Sequence, residues 1–150
     1  MKTIEVKLFE FSELSERAKE NAINQVRESR WEYDWSGEVL LGLENFLNEI
    51  GAYITDYSID WQYPSRSYVK VDSSNVNFDF EFESDDYSLT GYCMDYPLVK
   101  TWNETKDIQD SIYAWLIDCA KDYEYQISDE GIAEFIECNE YEFTEQGKIY

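Results

Sequence analysis

Histidine is absent from this 150-residue chain, and proline, cysteine and glycine number only 2, 3 and 6. Without histidine the chain lacks the commonest general base, the Ser-His-Asp and Cys-His arrangements, and every histidine-containing metal site. So few glycines leave little material for a phosphate loop, a dinucleotide fingerprint or a nucleophile elbow, and the sequence contains none of them. We therefore expect a protein that is not an enzyme and that uses no cofactor.

Cysteine usage and the lack of long apolar runs indicate a compartment. Cys93, Cys119 and Cys138 are odd in number and have no CxxC spacing, which argues against a disulfide framework and a zinc site. Cys119 falls on a helical apolar stripe, so we expect it in the core. No run approaches the roughly 20 apolar residues of a membrane span, and the first residues lack the apolar region of a signal peptide. A soluble protein in reducing cytoplasm is expected.

Basic residues are scarce too, with 12 Lys and Arg against 33 Asp and Glu and a formal net charge of -21. Residues 79–150 hold 4 basic and 19 acidic residues, a charge of -15, against -6 for residues 1–78. The hydrophobic content of 43% and aromatic content of 17% predict a folded core of single-domain size beneath this charge. Such a surface repels nucleic acid and anionic membranes and attracts basic protein surfaces.

Apolar spacing predicts a strand and two helices at the start of the chain. Alternation over residues 4–8 indicates the strand, and a helix capped by Ser12 or Ser15 follows it. A second apolar stripe over residues 39–50 predicts another helix, which Gly51 would end as a C′ glycine.

Three further strands are predicted to form an antiparallel meander. Residues 53–61 and 68–71 flank a turn at 63–67, and residues 76–83 alternate apolar with polar or acidic side chains. The odd-numbered residues from Tyr53 to Trp61 are expected to share one strand face. We favour core packing for the aromatic residues here, because a base-stacking platform needs a basic groove that this region lacks. These residues are Tyr53, Tyr57, Trp61, Phe78, Phe80 and Phe82.

The rest of the chain is mainly helical in pattern. Residues 87–102 have no clear pattern, and a strand at 88–93 closed by Pro97 is the best reading of them. Apolar residues from 108 to 123 recur at helical spacing and predict the core helix. Ser128 can cap a short final helix, and residues 141–150 are typical of a tight hairpin.

Acidic side chains form the main candidate site. Alternate residues on a strand lie about 6.6–6.8 Å apart, so the acids of residues 79–83 would form a row that a DNA-binding groove can accept. Two later helices add acids at or near helical-face spacing. The candidate partner-binding residues are Asp79, Glu81, Glu83, Asp85, Asp86, Asp107, Asp110, Asp118, Asp122, Glu130, Glu134 and Glu137.

Two other sites compete with this one. Trp31, Tyr33 and Trp35 between the first two helices could anchor a partner, since interface hot spots favour such residues, although packing into the core is the more ordinary role. Carboxylate pairs could also serve a glycosidase-like enzyme or bind calcium. The cluster at 83–86 lacks the spaced ligands and turn glycine of an EF-hand loop, so we assign no metal site.

The segment 11–22 (FSELSERAKENA), with Tyr33-Asp34-Trp35 and the closing 143–148 (FTEQGK), resembles the framing of small acidic proteins encoded by bacteriophages. In size and charge the chain is also similar to phage counter-defence proteins, the anti-CRISPR and anti-restriction inhibitors, several of which imitate DNA. This resemblance implies a partner that is a bacterial defence nuclease, met in the cytoplasm of an infected host. It supplies no site residue.

Together these observations predict an α+β fold, with an antiparallel sheet of about four to six strands packed against two long helices and one short helix. The expected function is non-catalytic inhibition of a host nucleic-acid-binding enzyme, either a CRISPR nuclease or a restriction enzyme. The acidic face would occupy its cationic channel. The alternative is a phage or mobile-element interaction or assembly module that uses the aromatic patch, with the charge serving solubility.

Overall fold

The computed structural model describes residues 1–30, 35–83 and 95–150. Within these ranges the chain forms five α-helices and four short strands, which confirms the α+β class. It divides into two compact units, one made of residues 1–33 and 125–150 and the other of residues 34–124. Each unit has its own apolar core. The expectation of a single domain stays a prediction.

The first unit joins two helices to a small sheet. Strand β1 (Phe9–Glu10) pairs antiparallel with β4 (Glu142–Phe143), and helix α1 (Glu16–Arg30) packs against α5 (Asp129–Cys138). Ser15 caps α1, because its Oγ accepts the backbone N–H of Ala18 at 3.2 Å. Buried residues of this core are Phe11, Leu14, Ala18, Ala22, Val26, Ile132, Ile136 and Phe143.

Local signals place α5 and the final turn. Ser128 accepts the N–H of Gly131 in its Oγ, which confirms the predicted cap. Phe143 forms a bridge with Ile149 around a tight turn, as predicted for a terminal hairpin. Gly147 occupies that turn at φ +83°, and a Cβ there would lie 2.0 Å from the carbonyl oxygen of Ala18.

The second unit holds a helix, a hairpin and two more helices. Helix α2 (Trp35–Ile50) ends as predicted at Gly51, whose φ is +88°. Strands β2 (Tyr53–Ser58) and β3 (Tyr68–Asp72) pair antiparallel across a 3-10 turn at Pro64–Arg66. Helices α3 (Asp95–Thr105) and α4 (Ile108–Ile127) follow, with the last three residues of α4 in the first unit. The largest buried side chains of this core are Phe46, Trp102 and Trp115.

The prediction of one sheet with four to six strands is wrong for the described residues. They form two separate sheets of two strands each. Residues 4–8, predicted to be a strand, lie outside any strand. The described residues form five helices rather than three. One of them, α3, is formed by residues 95–105, which showed no clear pattern in the sequence. Pro97 lies in the first turn of that helix, where its missing N–H costs nothing. The predicted strand at 88–93 lies outside the described residues.

A bulge overturns the predicted faces of the hairpin. Tyr53 pairs with Asp72 and Ile54 with Val71, and the register then shifts so that Asp56 pairs with Lys70. One extra residue reverses which side chains face the core. Tyr57 therefore pairs with the buried Val69 and no longer shares a face with Tyr53. Both tyrosine side chains are nevertheless exposed, Tyr57 at 47% and Tyr53 at 57%. The core prediction is also wrong for Phe78, which is 55% exposed, so it fails for Tyr53, Tyr57 and Phe78. Trp61, Phe80 and Phe82 do pack against the core.

Residues 76–83 are not a strand. One turn precedes the segment at 74–75 and another interrupts it at 78–79. The turn at 78–79 is closed by Phe80 N–H donating to the carbonyl of Asn77 at 3.1 Å. The Asn77 side chain accepts the N–H of Asp79 at 3.1 Å, in an Asx turn that competes with an extended backbone. The predicted alternation of burial holds from Asp79 to Glu83, where Phe80 and Phe82 are half-buried and the three acids are exposed. It is wrong for Phe78, which is 55% exposed.

Side chains of α3 take the place of a strand partner for this segment. Phe82 N–H donates to Asn103 Oδ1 at 3.0 Å, and Asn103 Nδ2 donates back to the Phe82 carbonyl at 3.2 Å. The carbonyl of Phe80 accepts from Trp102 Nε1 at 2.8 Å and from Lys106 Nζ at 2.7 Å. The backbone hydrogen bonds that a sheet would supply are thus made by three side chains of, or next to, one helix.

Candidate functional site

The three acids of residues 79–83 face solvent from an anchored segment. Asp79, Glu81 and Glu83 are exposed, and the two phenylalanines between them contact the core. Phe82 stacks on Phe46 with ring centroids 5.8 Å apart. The extended-strand spacing expected for these acids does not apply, because the segment turns at 78–79. What remains is a short acidic surface, which we call the acidic segment (Asp79, Glu81, Glu83).

Nearby cations compensate only weakly for the negative charge of the acidic segment. Lys106 Nζ lies 3.4 Å from Glu81 Oε1, and since the glutamate side chain is 70% exposed, salt screens this ion pair. The same ammonium is bonded to the Phe80 carbonyl, so its position is set by the backbone as well as by the acid. Residues 34–124 contain 5 basic and 19 acidic residues, a formal charge of -14. The second unit therefore presents negative charge that its own cations cannot neutralise.

The predicted acidic face of α4 is only partly formed. Asp107 precedes the helix as its cap, with Oδ1 accepting the N–H of Asp110 at 2.9 Å. Asp110 is exposed, but Asp118 and Asp122 are half-buried beside the apolar stripe of the helix. Cys119 is fully buried in that stripe, as predicted, whereas Cys138 is exposed. Asp107 thus has a structural role, and Asp118 and Asp122 are less accessible than expected.

The predicted acids of α5 share an exposed face of the first unit. Glu130, Glu134 and Glu137 are all exposed, while the opposite face of the helix is buried. Glu134 Oε2 accepts a hydrogen bond from the hydroxyl of Tyr125. This bond, with smaller contributions from burial and from Glu130, raises the pKa of Tyr125 to about 12. The phenol therefore stays neutral beside the carboxylate across the ordinary pH range.

An acidic cleft of about 630 Å³ lies on the first unit beside Glu137. Glu10 and Glu142 line it as directly paired residues of β1 and β4, and like charges opposite each other destabilise a sheet. A cationic group from a partner would relieve that repulsion, and Tyr141 offers it an aromatic ring. The cleft is lined by Glu10, Phe11, Ser12, Ile136, Glu137, Glu140, Tyr141 and Glu142.

Most of this cleft was not predicted from the sequence. Glu137 was a predicted site residue, but Glu10, Glu140 and Glu142 were not. The run of acids after α5 was a usable local signal, since residues 137–145 contain four glutamates and no basic residue. The place of Glu10 beside them follows only from the pairing of β1 with β4.

The outer face of the β2–β3 hairpin is an unpredicted polar and aromatic surface. Tyr53 donates its hydroxyl proton to Asp72 Oδ2 at 2.8 Å, and Tyr68 donates to Asp56 Oδ2 at 3.2 Å. Each hydrogen bond raises the pKa of its tyrosine. Hydrogen bonds from the side chain and backbone of Ser74, and then from Tyr53, lower the pKa of Asp72.

Several predicted site residues lie outside the described part of the chain. These are Asp85 and Asp86 of the acidic set and Trp31 and Tyr33 of the aromatic patch. Trp35 is the first residue of α2. Among the described residues, no group of three or more Asp, Glu or Cys side chains is arranged to hold a metal ion. None of the described helices combines the length and apolar character needed to cross a bilayer.

Comparisons of the chain with protein-family models, with curated proteins and with solved structures found no match.

Proposed function

We propose that the protein is a non-catalytic inhibitor of a nucleic-acid-binding enzyme, a CRISPR nuclease or a restriction enzyme, and that its acidic surfaces occupy the cationic channel made for nucleic acid. The observation that carries this proposal is the anchoring of the acidic segment. Three side chains from or next to α3 hold the backbone of Phe80 and Phe82, so the neighbouring carboxylates are presented from a braced loop. A pre-organised anionic surface loses less entropy on binding than a flexible one.

Charge supports the choice of partner. A formal charge of -14 on residues 34–124 favours encounter with a strongly basic surface and disfavours nucleic acid itself. Nuclease channels carry lysine and arginine side chains placed to receive phosphates. The bacterial defence nucleases fit this description, and the acidic cleft of the first unit supplies a second place for a lysine or arginine side chain.

DNA cleavage by a panel of RNA-guided nucleases and restriction enzymes tests the proposal. The test variant carries Asp79→Asn, Glu81→Gln and Glu83→Gln, which remove the charge of the acidic segment without placing a lysine beside Lys106. We expect inhibition by the wild-type protein that weakens as salt is raised. Loss of charge partners at the interface should raise the inhibitory concentration of the variant at least about tenfold.

A matched control variant has the same change in net charge as the test variant, but at residues outside the predicted site. Glu20→Gln, Glu28→Gln and Glu145→Gln remove three exposed carboxylates of the first unit outside the predicted site, and should inhibit like wild type. Equal loss of inhibition in both triple variants would point to net charge alone. Undiminished inhibition by the folded test variant would exclude the acidic segment, and no inhibition of any panel enzyme by wild type would refute the proposed function.

The alternative, an interaction or assembly module that binds through aromatic side chains, gains support from the exposed hairpin tyrosines. Tyr53 and Tyr68 are exposed and oriented by carboxylates, and tyrosine is favoured at interfaces. Binding of this kind should depend little on salt. It should also be reduced more by Tyr53→Ala with Tyr68→Ala, or by Trp31→Ala with Trp35→Ala, than by the acidic triple variant.

A further inference from the structure

Residues 4–8 have the alternating sequence pattern of a strand, but in the structure residues 1–8 belong to no strand. Ile4, Val6 and Leu8 alternate with Glu5 and Lys7, and the apolar three are 80%, 50% and 37% exposed. The chain becomes a strand only at Phe9, where β1 begins. Side chains of this type favour extended structure, and an unpaired strand of them is a site for pairing with another chain.

The partner strand inside the first unit ends too early to pair with these residues. Phe9 is opposite Phe143 in the antiparallel ladder, so residues before Phe9 would have to face residues after Phe143. At Thr144 the chain turns back, with Thr144 N–H donating to the Lys148 carbonyl at 2.8 Å. Strand β4 therefore cannot extend, and residues 4–8 project beyond it.

The hydrogen bonds of β4 also identify the free edge. Glu142 accepts from Tyr150 N–H and Thr144 donates to Lys148, so both residues direct their backbone groups away from β1. Phe143 accordingly directs its groups toward Phe9, and by alternation a continued β1 would turn the N–H and C=O groups of residues 4, 6 and 8 to the outer edge. At residue 10 this edge is closed, because the Glu10 N–H donates to Glu13 Oε1 at 2.8 Å.

We propose that residues 4–8 pair antiparallel with the same residues of a second copy of the chain, about a two-fold axis at Val6. In this register Ile4 faces Leu8 of the second copy, and Val6 faces Val6. The apolar side chains lie together on one face of the paired strands. The polar face places Glu5 opposite Lys7 of the second copy, and the symmetry repeats that pair.

Charge complementarity favours a second copy of the chain as the partner, and it also favours one register of the strand pairing. Glu5 opposite Lys7 is a favourable cross-strand pair, whereas a register centred on Glu5 would place the two Glu5 side chains against each other. Residues 2–7 contain two lysines and one glutamate, in a chain whose overall charge is -21. The strand pair is therefore formed by segments that do not share the repulsion of the rest of the surface.

Charge exchange tests the pairing on the full chain. Sedimentation equilibrium is run over a concentration series at about 0.15 M salt, where the Debye length of about 8 Å screens the net charge. Wild type should dimerise weakly. Glu5→Lys alone and Lys7→Glu alone each create two like-charge pairs and should weaken dimerisation about tenfold or more. An equimolar mixture of the two variants should restore dimers, seen as one-to-one heterodimers by native mass spectrometry.

Crosslinking tests the register. In a background with Cys93→Ser and Cys138→Ser, Val6→Cys should form a disulfide-linked dimer on oxidation, because facing residues of antiparallel strands lie within disulfide reach. Thr3→Cys, which faces Phe9 in this register, should crosslink poorly. A monomeric wild type throughout the series, dimers of Glu5→Lys as tight as wild type, or crosslinking of Thr3→Cys equal to that of Val6→Cys would overturn the proposal. Each of these results leaves the nuclease assays unaffected, so the two proposals fail separately.

Discussion

Replacing Asn103 with alanine should loosen the attachment of the acidic segment to α3 at Phe82. The asparagine side chain makes both hydrogen bonds to the backbone of Phe82, one as acceptor and one as donor. Alanine leaves a half-buried N–H and a half-buried C=O without these partners. A fully buried unpaired group costs roughly 1–3 kcal/mol, and partial access to water reduces this, so we expect a loss of about 2 kcal/mol for the two groups together.

Amide hydrogen exchange at Phe82 measures this effect at the site itself. A local loss of about 2 kcal/mol corresponds to about a 30-fold fall in protection of that amide. Urea unfolding should report a decrease of similar size in the free energy of unfolding of the second unit. Asn103→Asp provides an intermediate case, since the carboxylate still accepts the Phe82 N–H but can no longer donate to the carbonyl.

Glu104→Ala is the matched control for this experiment. It alters the next residue of the same helix, where the side chain is exposed, and should leave Phe82 protection unchanged. If the Phe82 amide exchanged equally fast in wild type and Asn103→Ala, the side chains of α3 would not be the substitute for a strand partner, and the bracing invoked for the acidic segment would be refuted.

Two further predictions concern the first unit. Gly147→Ala should lower the free energy of unfolding by about 2 kcal/mol or more, because it combines a φ of +83° with a Cβ that would overlap the Ala18 carbonyl oxygen. Gly147→Asn should be at least as destabilised in urea unfolding, since asparagine tolerates the φ but its Cβ makes the same overlap. The raised pKa of Tyr125, about 12, means that the folded state holds the phenol proton more tightly, so this contribution to stability is present below the unfolded pKa of about 10 and is lost as pH rises from about 10 to about 12. The difference between the ultraviolet absorbance titrations of wild type and Tyr125→Phe should show a phenol with a pKa of about 12. A difference that titrates near 10 would contradict the bond to Glu134.

Local features of the sequence predicted most of the helices. Ser15 and Ser128 were recognisable as caps and Gly51 as a C′ glycine, because each of these residues acts on backbone groups only a few positions away. The helix α3 was missed, since its proline belongs to a first turn that reads equally well as the end of a strand. No local sequence feature predicts the bulge, which separates Tyr57 from the strand face that it was predicted to share with Tyr53.

The acidic site was predicted in composition but not in geometry. The acids of α5 share one exposed face because helical spacing determines it, whereas those of α4 differ in exposure according to how the helix packs. The acidic cleft brings together Glu10 and Glu142, residues far apart in the chain, and pairing of that kind is invisible to local spacing.

In residues 79–83 the sequence determines side-chain burial, whereas the tertiary structure determines the backbone conformation. The sequence alone determined that Phe80 and Phe82 would turn inward and the acids beside them outward, because burial follows polarity whether or not the backbone is a strand. Tertiary structure alone decided that the segment would turn rather than join a sheet. Its backbone partners are side chains of Trp102, Asn103 and Lys106, which lie 21 residues or more beyond the groups they bind. Backbone groups form hydrogen bonds with whatever partners the fold places nearby, and here α3 lies in the position that a neighbouring strand would occupy.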